Sequence, residues 1–279
     1  MNKRFFPHEH PMRFFVSLLL LGCYGAAFAQ TNWPMFGQNA ANTANNSAET
    51  TISTANVNQL LPKWTFTTSG DVSARAAVVN GVAYFPDWGG NLWAVNTANG
   101  SLLWSHQLSD YGLPKNTHSR TTPAIVNGKL YLGTQEGAWM LAINATTGAL
   151  LWKTQLESSA VDPFAIVSSS PTVVGGTVYT GVASLEEGSA AFIPGFQCCK
   201  ARGSVVAINA ATGKIKWQTY TIPQGYSGAG VWGSNPVVDE NNNTVYVGTG
   251  NNYSHPNPDA KSAIPGKTYG QCIADGGSA

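Results

Sequence analysis

One phrase occurs three times in this chain. It reads Ala94-Val-Asn-Thr-Ala-Asn-Gly-Ser-Leu-Leu-Trp104, then Ala142-Ile-Asn-Ala-Thr-Thr-Gly-Ala-Leu-Leu-Trp152, then Ala207-Ile-Asn-Ala-Ala-Thr-Gly-Lys-Ile-Lys-Trp217. Each copy joins a short apolar strand to a second strand ending in tryptophan, through a polar turn that closes on Gly100, Gly148 or Gly213. Glycine suits a turn position that needs φ > 0, and the Asn and Thr residues before it offer local side-chain hydrogen bonds. A hairpin repeated along a chain predicts a repeat architecture.

A second hairpin precedes each copy. Ala77 to Tyr84 and Ala124 to Tyr131 turn on Asn-Gly, and Thr172 to Tyr179 turns on Gly-Gly, between apolar β-branched runs. Trp104 and Trp152 are 48 positions apart, as are Tyr131 and Tyr179. Four strands at that period predict an all-β fold, a β-propeller of four-stranded blades, with each tryptophan packing between neighbouring blades. From Trp152 to Trp217 the step is 65 positions, 17 more than the regular period. The extra residues fall between Val182 and Gly203, around Glu186, Glu187, Cys198 and Cys199. A long insertion in a regular repeat is where function is expected.

The pattern does not close a ring. Leu61-Pro-Lys-Trp-Thr-Phe66 reads as a lone outer strand, and Val237 to Tyr246 opens a fourth blade for which no tryptophan strand follows. A partial propeller, truncated or a fragment, is therefore expected. A small closed ring with degenerate blades fits the spacing poorly.

Composition narrows the setting. Charged residues make up 10% of the 279 and the net charge is +1, which gives no electrostatic basis for nucleic-acid binding. Residues 1–29 read as a signal peptide: Lys3, Arg4 and Arg13 precede an apolar run from Phe14 to Phe28 and a small-x-small site at Ala27-Phe28-Ala29. A lipoprotein reading around Cys23 is weaker, because Leu21 is bulky where such sites prefer a small residue. No other run is long enough to span a membrane. A periplasmic domain over 30–279 is expected, with Cys198, Cys199 and Cys272 as its cysteines.

The docking repeat, together with Tyr84-Phe-Pro-Asp-Trp-Gly-Gly90, Ser184-Leu-Glu-Glu-Gly188, Cys198-Cys199, Val231-Trp-Gly-Ser234 and Val247-Gly-Thr-Gly-Asn-Asn-Tyr253, resembles the eight-bladed quinoprotein alcohol dehydrogenases that use pyrroloquinoline quinone (PQQ) and calcium. Within that family the resemblance is closest to the polyvinyl alcohol dehydrogenases. It implies about half of an eight-bladed ring, with Glu186 and Asn251 matching the calcium ligands, hard oxygen donors of the kind calcium takes. Glu187 is the rival for Glu186. Trp232 matches the tryptophan beneath the quinone ring, outside the docking register of the other three. Ser168 lies where the family places a hydroxyl contacting the cofactor. Arg202, and less directly Arg120, could pair with a cofactor carboxylate.

Cys198-Cys199 matches a vicinal disulfide on the opposite quinone face, although that pair usually comes from an earlier blade than the glutamate. Neighbouring α-carbons are ~3.8 Å apart, below the usual disulfide range, so bonded this way the pair is strained. The implied reaction is alcohol oxidation, with a polymer, secondary alcohol or small diol as substrate. The general base is expected beyond Ala279. Asp239, Asp259 and Asp275 do not match its context. No Cys-x-x-Cys-His occurs, so a separate periplasmic cytochrome c is the implied electron acceptor. The competing reading is a non-catalytic propeller serving as an envelope scaffold or binding module.

Overall fold

The computed structural model describes residues 32–233 and 235–254, so the leader, Cys272, Asp259 and Asp275 lie outside the described residues. Four strands make the first sheet in chain order: β1 (Ala77–Val79), β2 (Val82–Pro86), β3 (Asn91–Asn96) and β4 (Leu102–Gln107). The second repeats it with β5 (Ala124–Val126), β6 (Lys129–Gly133), β7 (Trp139–Asn144) and β8 (Leu150–Gln155). In the third, β9 (Ala165–Ile166) pairs with the far end of β11 (Thr177–Ser184), and β10 (Thr172–Val174), β12 (Ser204–Asn209) and β13 (Ile215–Tyr220) complete the blade. Helix α1 (Glu186–Phe192) stands between β11 and β12. A fourth unit begins with β14 (Ser227–Gly228), β15 (Val237–Asp239), β16 (Thr244–Tyr246) and β17 (Asn252–Ser254), in which β15 pairs with β16 and β14 with β17.

The registers match the sequence periods. Tyr84 faces Ala77, Tyr131 faces Ala124, Tyr179 faces Thr172 and Tyr246 faces Val237 across the first hairpins. Asn80 and Gly81 both take positive φ, as do Asn127 and Gly128, which is what a two-residue hairpin turn of matching twist requires. In the second hairpins Ala94, Ala142 and Ala207 face Trp104, Trp152 and Trp217, with a register shift just after each alanine. The first strands β1, β5, β10 and β15 neighbour one another, so the sheets stand around a common axis as propeller blades.

Trp104 and Trp152 each close the seam to the next blade. Trp104 Nε1 donates to Ala145 O at 3.0 Å, and Trp152 Nε1 donates to Ala210 O at 3.2 Å. The rings lie against the glycine of the next blade's turn: a Cβ at Gly213 would sit 2.8 Å from the Trp152 ring. Between the seams lie two cores, one built on Leu92, Leu130 and Leu141, the other on Met140, Val178 and Ile208.

Two features differ from expectation. Residues 61–66 form no strand, because no Ala-x-Asn-x-x-x-Gly unit precedes them to supply a partner. Trp64 alone behaves as the pattern implies, donating from Nε1 to Thr97 O at 2.9 Å and packing on Gly100. The insertion carries α1, a helix in an otherwise all-β chain, whose first turn holds Glu186 and Glu187 where the helix dipole favours carboxylates.

The segment after Asn32 crosses several blades. Trp33 exchanges backbone hydrogen bonds with Val78, Pro34 O accepts from Ile125 N at 2.7 Å, and Ala40 O accepts from Val238 N at 2.9 Å.

Candidate functional site

The second strand runs the same way in every blade, so the residues that follow β2, β6, β11 and β16 emerge on one face. Trp88, Glu136, Glu186 and Asn251 all lie there. The chain entering each blade passes the same place: Trp88 N donates to Asp71 O, Gln135 N to His118 O, and Ala229 N to Asn251 O, while β9 lies along Ala183 and Ser184.

Glu186 is 7% exposed. Its Oε2 accepts two backbone N–H groups, from Lys200 and Ala201, both at 2.7 Å. Those residues directly follow Cys199, so the carboxylate fixes the chain leaving the cysteine pair. Cys198 and Cys199 are disulfide-bonded to each other, with Cys199 buried. Glu187 points elsewhere: it is exposed, and its Oε2 accepts from Tyr253 Oη at 2.9 Å. Burial, and with it Tyr253's proximity to Glu187, pushes the Tyr253 phenol up to about 12.

A backbone ladder joins this corner to the fourth unit. Gly228 N donates to Ala201 O at 2.8 Å, Gly203 N donates to Gly228 O at 2.8 Å, and Ala229 N donates to Asn251 O at 2.6 Å. The Asn251 side chain is exposed. Trp232 is seated between two glycines of the same ladder. A Cβ on Gly230 would lie 3.0 Å from its Nε1, and one on Gly250 would lie 2.8 Å away, so any larger residue would push the indole out.

The remaining sequence candidates separate. Ser168 is buried and its Oγ lacks a hydrogen-bond partner among the described residues. Arg120 is exposed. Arg202 stacks its guanidinium 3.8 Å above the Tyr220 ring and reaches Ile222 O at 3.4 Å, on the outer side of its blade. Asp239 is half-buried and its carboxylate is held low by the Asn242 side chain and by backbone N–H groups, so it is spent on its own turn.

Two carboxylates buried near Glu186 escaped the sequence reading. Asp162 Oδ1 accepts from Phe164 N at 2.9 Å and from Ser184 Oγ at 3.2 Å, and Ser184 Oγ in turn accepts from Glu186 N at 3.2 Å. Glu157 Oε2 accepts from Tyr220 Oη at 2.9 Å. Burial raises the Asp162 carboxyl above its usual range, opposed by its two donors and reinforced by Glu186 and Glu157. The aspartate before Pro163, in the stretch entering the enlarged blade, was the available signal.

The donor chemistry of this corner suits calcium only in part, because among the described residues no group of three or more His, Cys, Asp or Glu side chains converges as a metal site. Among the described residues the one ion pair is His118 with Glu136, so Glu157, Asp162 and Glu186 lie buried without a basic partner. Buried charge calls for a counter-charge. Oε1 of Glu186 carries no hydrogen bond from the described residues, which leaves one hard oxygen available. A flat carboxylated cofactor fits less completely: an indole is seated here, but of the two arginines Arg202 is stacked on Tyr220, and only Arg120 lacks a bond among the described residues.

A family profile described as outer membrane protein assembly factor BamB matches residues 50–257. A polyvinylalcohol dehydrogenase of Sphingopyxis sp. strain 113P3 is 39% identical over 104 residues, covering 30% of this chain and 16% of that protein. A second, from a Pseudomonas species, is 27% identical over 230 residues, covering 76% of this chain and 35% of that protein. The chain thus spans about a third or less of the curated relatives it matches. Among solved structures, quinohemoprotein alcohol dehydrogenase ADHIIG from Pseudomonas putida HK5 superposes with a TM-score of 0.65 at 25% identity, over 79% of this chain and 34% of that one. These matches make the chain a homologue of the PQQ-dependent quinoprotein alcohol dehydrogenases.

Proposed function

This chain belongs to the propeller family described as outer membrane protein assembly factor BamB, and from its quinoprotein homologues we infer that it serves PQQ- and calcium-dependent oxidation of alcohols in the periplasm. The substrates are secondary alcohols, polyvinyl alcohol among them. The observation that carries this reading is Glu186: a buried carboxylate with one oxygen tied to the backbone beside a cysteine pair, the other open, and no basic partner among the described residues.

When bound, calcium and PQQ supply an electrophilic quinone carbonyl able to take a hydride equivalent from an alcohol. The chain's part is to hold and orient. Glu186 Oε1 and the Asn251 amide oxygen would hold calcium, their backbones linked by the ladder through Ala201 and Gly228. Trp232 presents its indole face to the quinone, kept in place by Gly230 and Gly250. With PQQ bound, Cys198-Cys199 would cover the other side, Ser168 Oγ would donate to the cofactor, and Arg120 would meet a cofactor carboxylate. Arg202, stacked on Tyr220, would reach a cofactor carboxylate only on leaving that ring. The general base is not among the described residues. Residues 1–29 direct export, and a separate cytochrome c removes the electrons.

The test is oxidation of secondary alcohols and polyvinyl alcohol by protein reconstituted with PQQ and calcium, with an artificial electron acceptor, beside Glu186→Gln and Trp232→Ala. Loss of PQQ binding in both variants, with folding intact, supports the enzyme. Failure of the wild-type protein to bind PQQ, or full retention of binding in both variants, favours the second reading, a scaffold propeller, which the family description itself keeps open.

A further inference from the structure

On the same face, one and two blades before Glu186, the structure gathers three side chains that the cofactor reading does not use. Trp88 is 45% exposed, although its Nε1 donates to Ser73 Oγ at 2.7 Å. A large exposed indole held in a fixed orientation is a surface kept for contact rather than for packing. The His118 ring lies against it, with centroids 4.4 Å apart and planes inclined by 32°.

Glu136 governs the imidazole. Its Oε2 accepts from the His118 backbone N at 2.9 Å, and its Oε1 lies 2.9 Å from Nδ1. Nδ1 is also 3.2 Å from Asn116 O. With two acceptors around it, Nδ1 carries the proton, and in the neutral ring Nε2 is then an acceptor. Among the described residues Nε2 has no hydrogen bond. Two neighbouring residues carry unsatisfied groups: among the described residues Thr117 Oγ1, next in sequence, and Gln135 Nε2, whose backbone N donates to His118 O at 3.0 Å, are buried without partners. Buried polar groups without partners are rare in folded proteins and mark a missing water or ligand.

We propose that Trp88, His118 and Glu136 form a binding subsite for a neutral, hydroxyl-bearing aliphatic chain, a polyol. The indole takes the C–H face of the chain, and His118 Nε2 accepts one of its O–H groups. The Glu136 carboxylate beside the ring disfavours anionic ligands. No chemistry occurs at this subsite; it positions a long substrate across the face on which Glu186 lies. Binding here needs neither PQQ nor calcium, so it stands or falls apart from the cofactor assignment.

The experiment is calorimetric titration of the intact protein, without PQQ or calcium, using pentane-2,4-diol and xylitol as probes. Wild-type protein is expected to bind at least one of them. Trp88→Ala and His118→Gln are each expected to weaken that binding by about tenfold at unchanged melting temperature. Glu136→Gln, which loosens the hold on the Nδ1 proton, is expected to weaken it less. Absence of wild-type binding to both probes overturns the proposal, as does binding by the two main variants equal to wild type. If Trp88→Ala fails to fold, His118→Gln decides alone.

Discussion

Tyr253 donates its phenolic O–H to Glu187, and through that 2.9 Å hydrogen bond the fourth unit grips the helix of the enlarged third blade. Asn251 lies two residues before Tyr253 and Glu186 one residue before Glu187, so the bond braces both proposed calcium ligands from behind. In the fold the phenol is held up to about 12, chiefly by burial and then by Glu187, whereas in the unfolded chain it ionises near ~10. Stability from this group is therefore complete below pH ~10 and is lost as pH rises toward 12. Tyr253→Phe is expected to flatten that alkaline loss and to weaken calcium binding by a few-fold, measured by alkaline melting curves and calcium titration.

Asp162 sets a second pH dependence of the same sign. Its folded pKa is raised, so as pH climbs above the ordinary carboxylate range the unfolded chain gives up a proton that the folded chain retains, and the fold loses stability. Asparagine keeps the acceptor oxygen for Phe164 N and Ser184 Oγ. Asp162→Asn is therefore expected to melt higher than wild type at neutral pH, with the gap shrinking as pH falls toward the carboxylate range. Melting temperatures across that range decide it.

The tryptophans are equal in sequence and unequal in the fold. Trp152 has a turn to dock on, whereas Trp217 is 39% exposed. Trp152→Ala is expected to cost about 3–5 kcal/mol of unfolding free energy and Trp217→Ala markedly less. Urea denaturation of the two variants measures the difference.

Glycines with similar backbones also separate. Gly213 (φ 75°) lies under the Trp152 ring, whereas at Gly175 (φ 55°) an added methyl would meet no atom within 4 Å. Gly175→Ala is expected to cost only the left-handed strain, about 1–2 kcal/mol. Gly213→Ala adds displacement of the indole and is expected to exceed it clearly in the same assay.

What the sequence made legible was local. Strand pairs such as Ala94 with Trp104 and Thr172 with Tyr179 sit a few residues apart, and their turns announce themselves through Asn-Gly or glycine. The enlarged blade was equally visible as a break in period. What escaped depends on partners far along the chain. The expected strand at 61–66 required a neighbouring strand that the preceding residues do not encode. Arg202 resembled a carboxylate binder until Tyr220, at the end of the outermost strand, drew its guanidinium away. Asp162 and Glu157 look like ordinary loop acids, and only the stacking of blades reveals that both are buried. The motif put Glu186 ahead of Glu187, and only the fold shows that one is enclosed and the other exposed.

The segment from Trp33 to Ala40 bonds to strands of the first, second and fourth units. The bond from Val238 to Ala40 links the two ends of the described chain, and such a contact forms only after the whole intervening loop has been closed entropically. Its high sequence separation makes it a late event in folding. Blades can form one by one through their own hairpins, but this strap registers their completion: it cannot latch until the fourth hairpin exists. Cutting the chain before Asn32 leaves that latch intact, whereas cutting after Ala40 releases the first and fourth units from each other.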